Sequence, residues 1–362
     1  MTSVVRPKVF GTGLIALDLV LGLDSHAPVR SWAGGTCGNV LSILAYLGWE
    51  AFPIARMNGD PASDRVRADL SKWGVRLDFA SCEPTAHTPI IIQEIKRDRD
   101  GKPKHRFSWS CPKCGQWLPA YKPVTAAAVE AVMPAMEDAS VFFLDRLSRA
   151  ALSLAKTAAD RGAIVVFEPS GKGNDKLMAE AIHLAQVVKY ADQRLAGVDG
   201  LMTDGSATLV EVQTLGERGL KYRHRLGRSR SDWLHLDAIQ APKLADSCGA
   251  GDWSTAGLLA KAAADGVRGL RATGARGIRD ALRYGQALAA WNCGFEGARG
   301  GMYAVARGDL DTQIAALMSG RLDPLAKIAP EPRMESLVDC PACLPPRRVS
   351  PAHGRRAKRA AA

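Results

Sequence analysis

Asp246-Ser-Cys-Gly-Ala-Gly-Asp252, followed by the apolar run Trp253-Ser-Thr-Ala-Gly-Leu-Leu-Ala260, is the stretch that decides the fold. A turn of small residues delivers one carboxylate, Asp252, to the start of a helix. The backbone N–H groups of Gly249, Ala250 and Gly251 can point together into one concave space, where amide dipoles and the positive helix end bind an anion. Asp252 beside them can accept the proton of an attacking hydroxyl. An anion hole and a general base within four residues are what phosphoryl transfer to an alcohol requires. A helix start that merely favours small residues is the simpler reading.

Other blocks are ordered around it. Ala33-Gly-Gly-Thr-Cys-Gly-Asn39-Val-Leu-Ser-Ile-Leu-Ala-Tyr-Leu-Gly48 places two glycines, Gly34 and Gly35, where backbone can approach a ligand closely. Val40, Leu41, Leu44 and Leu47 then recur at helical spacing, and Gly48 is a natural stop. Val9 to Asp18 reads as a first strand ending in an acid. Asn58-Gly-Asp60 precedes a helix over Asp64–Trp73 and then Gly74-Val75. Phe167-Glu-Pro-Ser170 falls at a strand end, and Val212-Gln-Thr-Leu-Gly-Glu-Arg-Gly219 reads as a strand with its following loop. The apolar runs Val141–Leu144, Ile164–Phe167 and Leu209–Val212 alternate with helical patterns, so a mainly parallel sheet covered on both faces is expected.

Together these blocks resemble the ribokinase-like carbohydrate kinases, also called the phosphofructokinase-B family, over roughly residues 8 to 305. The family pattern is Asp-Thr-x-Gly-Ala-Gly-Asp; here Ser247 keeps the hydroxyl of the Thr and Cys248 fills the variable place. The resemblance implies an α/β three-layer sandwich with a mainly parallel central sheet and a small β lid. It implies a kinase domain over 1–325, with lid strands roughly within 12–35 and 85–122, and a C-terminal extension over 326–362. It makes Asp252 the catalytic base, with Gly249, Ala250 and Gly251 around the transferred phosphoryl group. Asp18, Gly34, Gly35 and Asn39 would hold the sugar; Thr214, Gly216, Gly219 and Asn292 would hold ATP, which enters with Mg²⁺. Asp246 and Ser247 take the place of a monovalent-cation site, such as one for K⁺. Pairing of two copies through the lid is a further implication.

One departure stands out. Relatives often carry Asn-x-x-Glu, whose Glu organises Mg²⁺ through water; in Val187-Val-Lys-Tyr-Ala-Asp-Gln-Arg194 the Glu position holds Arg194. Asp192 and Glu168 are the candidate substitutes.

Composition agrees with this reading. A chain of 362 residues with 47% apolar content can bury a large core. No apolar run is long enough to span a membrane, and the N-terminus lacks a signal pattern, so a cytoplasmic protein without membrane contact is expected. Of the net charge of +11, six positive charges sit within 344–362: Arg347, Arg348, Arg355, Arg356, Lys358 and Arg359, with no acid among them. Such a tail, rich in Pro and Ala, is expected to be disordered. It is the one part suited to nucleic acid or acidic partners; a solvated terminus is the simpler reading.

The eight cysteines are then thiols or metal ligands before they are disulfides. Cys111-Pro-Lys-Cys114-Gly115 has the form of a zinc knuckle, and Cys340-Pro-Ala-Cys343 repeats it. Four thiolates satisfy tetrahedral zinc. A zinc clamp on the lid, two exposed thiol-bearing turns, and a redox pair are the three readings. For the whole chain the leading reading is an ATP-dependent sugar kinase. The alternatives are a nucleoside kinase on the same fold and a non-catalytic sensor of sugar or nucleotide.

Overall fold

The computed structural model describes residues 6–22, 29–99, 101, 103–195, 197, 200–227 and 229–321. The chain opens with strand β1 (Lys8–Thr12), then β2 (Ala16–Leu21) and β3 (Arg30–Gly34), helix α1 (Thr36–Tyr46), β4 (Glu50–Met57), helix α2 (Pro61–Lys72) and β5 (Ala80–Cys82). A hairpin follows, β6 (Ile90–Arg97) with β7 (Pro103–Ser108). The next stretch alternates: α3 (Ala126–Val132), β8 (Val141–Leu144), α4 (Arg149–Asp160), β9 (Ile164–Phe167), α5 (Asp175–Leu184), β10 (Val187–Ala191) and β11 (Val210–Thr214). Strands β12 (Leu220–His224) and β13 (Leu234–Leu236) precede the helices α6 (Ala250–Ala262), α7 (Gly266–Asn292), α8 (Gly300–Ala304) and α9 (Arg307–Met318).

The central sheet has the order β13-β12-β11-β10-β9-β8-β1-β4-β5. It is parallel from β5 through β11, and the last two strands return antiparallel. Its middle strands β8 and β9 are apolar throughout because helices cover both faces. Period-two alternation sorts the side chains. Val141, Phe143, Ile164 and Val166 pack with α1, α6 and α7 on one face, while Phe142, Leu144, Val165 and Phe167 pack with α3, α4 and α5 on the other. The architecture is the expected three-layer α/β sandwich.

The chain runs outward from β1 in both directions along the sheet, through β4 on one side and β8 on the other. That reversal opens a crevice beyond the carboxyl ends of the strands. A second sheet, ordered β3-β2-β6-β7, stands over it as the lid. Here one reading needs correction. Val9 to Asp18 is not a single strand ending in an acid: β1 stops at Thr12, and Asp18 lies inside β2, paired with Trp32 across the lid. The carboxylate therefore reaches the crevice from above. Helix α2 also starts earlier than Asp64, since Asp60 caps it by accepting from Ser63 N at 2.8 Å and Pro61 suits its first turn.

Helix α6, which carries Asp252, is pressed against α7 through glycines. A Cβ on Gly257 would lie 2.5 Å from Gly285 Cα, and one on Gly285 would lie 2.5 Å from Ser254 O. Backbone–backbone contact of this kind fixes the height of α6 above the sheet. Gly257→Val is expected to lower unfolding free energy by roughly 1–3 kcal/mol through overpacking. Urea denaturation of the two proteins checks it; an unchanged midpoint would contradict the close approach.

Candidate active site

Gly249 precedes α6 in the left-handed conformation, with φ 76°, and a Cβ there would strike Ala298 O at 2.2 Å. Only glycine fits that turn. The Ala250 amide donates to Ser247 O at 3.3 Å, closing the turn from within. The Gly249 amide is turned to the Cys248 sulfur, while the amides of Gly251 and Asp252 meet no backbone acceptor among the described residues and are the donors left at the helix start.

Asp252 is half-buried in the first turn of α6. Its Oδ2 accepts from Asn39 Nδ2 at 2.7 Å. The other end of that amide is fixed: Asn39 Oδ1 accepts from Arg299 Nε at 3.1 Å. Arg299 is fully buried, and its Nη2 donates to Ala33 O and to Asp69 Oδ2, the latter at 2.8 Å. Asp69 is held in turn by Tyr303 OH at 2.7 Å and by Ala33 N at 2.8 Å. Asn39, expected on the sugar, donates here to Asp252.

Below α6, Glu168 and Lys189 form a buried ion pair at 3.1 Å. Lys189 also donates to Gly251 O at 3.0 Å, and Glu168 accepts from Thr255 Oγ1. Asp145 follows β8 directly and is buried, accepting from Leu14 N at 2.9 Å and from Arg146 at 2.8 Å. Three acids thus crowd the strand ends. Withdrawal from water, reinforced by the charge of Glu168, pushes Asp252 up to about 8 against the Asn39 hydrogen bond and the Lys189 charge. Burial lifts Asp145 to about 6 despite Arg146.

Asp18 hangs from the lid. A Cβ on Gly34 would lie 1.8 Å from Asp18 Oδ2, so glycine makes room for this carboxylate beside the start of α1. Burial raises Asp18 to about 7, opposed by Arg299 and by the amide of Gly35, the N-cap of α1. Its Oδ1 is buried without a hydrogen-bond partner among the described residues. Such an orphaned acceptor fits a missing hydroxyl donor.

Asp246 is a lid contact. It accepts from Gln93 Nε2 of β6 at 3.0 Å, from Cys248 N at 2.9 Å and from Gly297 N at 3.0 Å, with His105 Nδ1 of β7 at 3.7 Å. Burial raises its proton affinity, but His105 and the two amides outweigh this and hold it below the usual carboxylate range. The monovalent-cation site expected at Asp246 and Ser247 would use backbone carbonyls, which these side-chain hydrogen bonds of Asp246 leave untouched.

Thr214 ends β11, Gly216 opens a short turn through Arg218, and Gly219 begins the return into β12. Asp192, after β10, faces this turn and pairs with Arg218 at 2.9 Å. It is therefore engaged away from the acids, while Arg194 donates to Ser170 O at 3.0 Å. Asn292, expected at the nucleotide, is fully buried. Its amide donates to Gly297 O and Ala298 O at 3.3 and 3.1 Å and accepts from Gly301 N at 3.1 Å, bracing the loop that carries Arg299. Cys340 and Cys343 lie outside the described residues, as does the whole extension 326–362.

Lys189, Arg299 and Asp145 went unmarked in the sequence. Each had a signal: Lys189 is a cation in an apolar parallel strand, Asp145 is an acid directly after the run Val141–Leu144, and Arg299 stands alone among small residues in Gly297-Ala-Arg-Gly-Gly301.

A family model described as pfkB family carbohydrate kinase matches residues 26–303. The chain belongs to that family. An ATP-dependent ribose-1-phosphate kinase of Halopiger xanaduensis is 26% identical over 337 residues, covering 87% of this kinase and 99% of that protein. A fructokinase of Xylella fastidiosa with bound ATP superposes with a TM-score of 0.66 at 19% identity, covering 87% of this chain and 99% of that one. Arabidopsis thaliana ribokinase complexed with ribose and ATP gives 0.62 at 15%, covering 87% and 99%. At such identities the solved structures establish the fold of this carbohydrate kinase. Among the described residues no helix is long and apolar enough to cross a membrane.

The raised acids carry a stability cost of definite sign. An unfolded Asp titrates near 4, whereas folded Asp252 sits at about 8. The folded kinase thus holds more protons than the unfolded chain between those values, and stability falls as pH rises through the window. Asp252→Asn should raise the thermal midpoint at pH 8 and leave it nearly unchanged at pH 4. Thermal denaturation at both pH values checks this; a lower midpoint at pH 8 would contradict it.

Proposed function

We propose that this carbohydrate kinase transfers the γ-phosphoryl group of ATP to a hydroxyl of a sugar or sugar-like alcohol, with Asp252 as general base. The observation that carries the reading is the carboxylate of Asp252 at the start of α6, with raised proton affinity and beside unpaired amides. ATP lies along the Thr214–Gly219 turn, with its γ-phosphate over the amides that begin α6. The acceptor sits under the lid, its hydroxyls on Asp18 and on the backbone at Gly34 and Gly35. Its reacting oxygen faces Asp252.

In the step itself the substrate oxygen forms a bond to the γ-phosphorus as the bond to the β–γ bridging oxygen breaks. The proton passes to Asp252, and ADP leaves with the bridging oxygen. Positioning and electrostatics supply most of the acceleration, and the base adds about 10²–10⁴-fold. Lys189 neutralises Glu168 directly beneath the anion site, which limits repulsion between that acid and the incoming phosphates. Arg299 acts through Asn39: by occupying Asn39 Oδ1, it leaves only the amide N–H side to face the base.

Mg²⁺ arriving with the nucleotide would face Glu168 and Asp145, hard oxygen donors at the strand ends, and it supplies charge neutralisation. The kinase unit spans 1–325, and 326–362 is an extension with a separate role.

A coupled ADP-release assay over sugars, sugar acids, sugar phosphates and nucleosides tests the reading. Turnover with at least one sugar-type acceptor is expected, and its loss by 10²–10⁴-fold in Asp252→Asn with ATP binding retained. ATP binding with no turnover on any acceptor would favour a sensor instead. For the positioning role, kcat/KM should rise with pH toward about 8. Removing the Asn39 donor destabilises the carboxylate, so Asn39→Ala should move that rising limb to higher pH. A limb that stays in place would contradict the assignment.

A further inference from the structure

The outer edge of the lid serves no step of phosphoryl transfer. Strand β7 ends the second sheet, whose order is β3-β2-β6-β7. Around the turn that joins β6 to β7, Lys96, Arg97, Arg99, Lys104 and Arg106 are all exposed, against the described acids Glu94 and Asp98. Lys96 pairs with Glu94 at 2.8 Å, and Arg97 donates to Gly101 O at 2.8 Å. Arg99, Lys104 and Arg106 form no ion pair among the described residues. Arg97, Asp98, Arg99 and Lys104 line a shallow depression at the end of the hairpin.

Aromatic rings stand at the other end of the same strand. Trp109 directly follows β7 and is 50% exposed, and Trp117 is 80% exposed. Leu118 N donates to Trp109 O at 2.8 Å, and Ser110 bridges Trp117, so the second ring is held beside the strand. Alternate residues of a strand share a face, and so do residues directly opposed across a pair. Lys104, Arg106 and Ser108 therefore form one row, with Lys96 opposite Lys104 across the hairpin. Ser110 Oγ lies 3.3 Å from Ser108 Oγ and carries the row on to Trp117. Along the row Lys104 and Arg106 are ~7 Å apart, close to the repeat of an extended phosphodiester chain.

We propose that this edge of the lid binds single-stranded nucleic acid. Lys104, Arg106 and the cations around the hairpin turn take the phosphates, and Trp117 and Trp109 stack on bases. A row of unpaired cations ending in exposed rings supplies both parts of such a surface: charge for the backbone, and flat faces that any base can stack on. Two other occupants fit less well. Antiparallel pairing of two β7 strands from separate copies would set Lys104 and Arg106 against like charges. A membrane surface calls for a continuous apolar face, whereas serines separate these rings from the cations.

Fluorescence anisotropy of labelled oligo(U) and oligo(dT), titrated with the full chain, is the test, with a duplex of the same length beside them. Saturable binding of a single strand is expected, weaker for the duplex, whose bases are already stacked; the tighter single strand tells RNA from DNA. Trp117→Ala should weaken binding by about 5- to 150-fold, the range for loss of one base–ring contact. Lys104→Ala/Arg106→Ala should weaken it too, and should flatten the slope of log affinity against log salt by about 1.4, from ~0.7 per lost phosphate contact. These side chains are exposed, so far-ultraviolet dichroism should match the parent. Failure of both single strands to bind at low salt would overturn the proposal. So would binding that both variants retain in full, which would assign it to the basic stretch within 344–362. Capture by phosphatidylserine vesicles without oligonucleotide binding would give the edge to a membrane, and a dimer lost in Trp117→Ala would give it to a second copy; either contradicts the proposal. None of these results bears on Asp252, so this surface and the phosphotransfer reading fail separately.

Discussion

One electrostatic tension organises this site: the Asp252 carboxylate stands at the positive end of α6, close to two other acids, and its proton affinity is raised. Asp252 is withdrawn from water and repelled by Glu168, and both effects strengthen its hold on a proton. The Asn39 amide and the Lys189 ammonium act in the opposite direction and keep the group within reach of neutral pH. A general base works best when its proton affinity lies near the operating pH. Remove the counterweights, and the acid would stay protonated; remove the crowding, and it would be too weak a base.

The fold exists to maintain that tension. Parallel strands deliver Asp145 and Glu168 from their carboxyl ends, the one place in the sheet where side chains meet a crevice. Glycines at the α6–α7 contact set the height of the helix. The lid supplies Asp18 and reaches back to the catalytic turn through Gln93 and Asp246. Arg299 is the hidden keystone: fully buried, it ties the loop before α8 to α1, to α2 through Asp69, and to Asp252 through Asn39. A buried guanidinium is costly unless its donors are satisfied. Its Nη1 finds no partner among the described residues, in the same region as the orphaned oxygen of Asp18.

Much of this was legible in the sequence, and the reasons are physical. The turn before Asp252 could be read because only small residues permit it, and strands β8 and β9 because two-sided burial makes them unbroken apolar runs. Local patterns carried both. Asp18 was misplaced because Gly13, directly after Thr12, went unread as the break between β1 and β2; the lid pairing with Trp32 decides it. Asn39 was assigned to the sugar, and its hydrogen bond to Asp252 spans 213 positions, beyond any local signal. Asn292 looked available for a ligand, yet its surroundings consume every polar atom. Lys189 was the most readable omission, since an ammonium within a buried strand demands a partner.

The most direct test is to watch the base itself. In protein labelled with ¹³C at aspartate carboxyls, one resonance absent from Asp252→Asn should titrate with a midpoint near 8 in the unliganded cleft. Should the resonance lost in Asp252→Asn instead titrate at the ordinary value near 4, the crowded, proton-retaining carboxylate does not exist, and the account of this site fails with it.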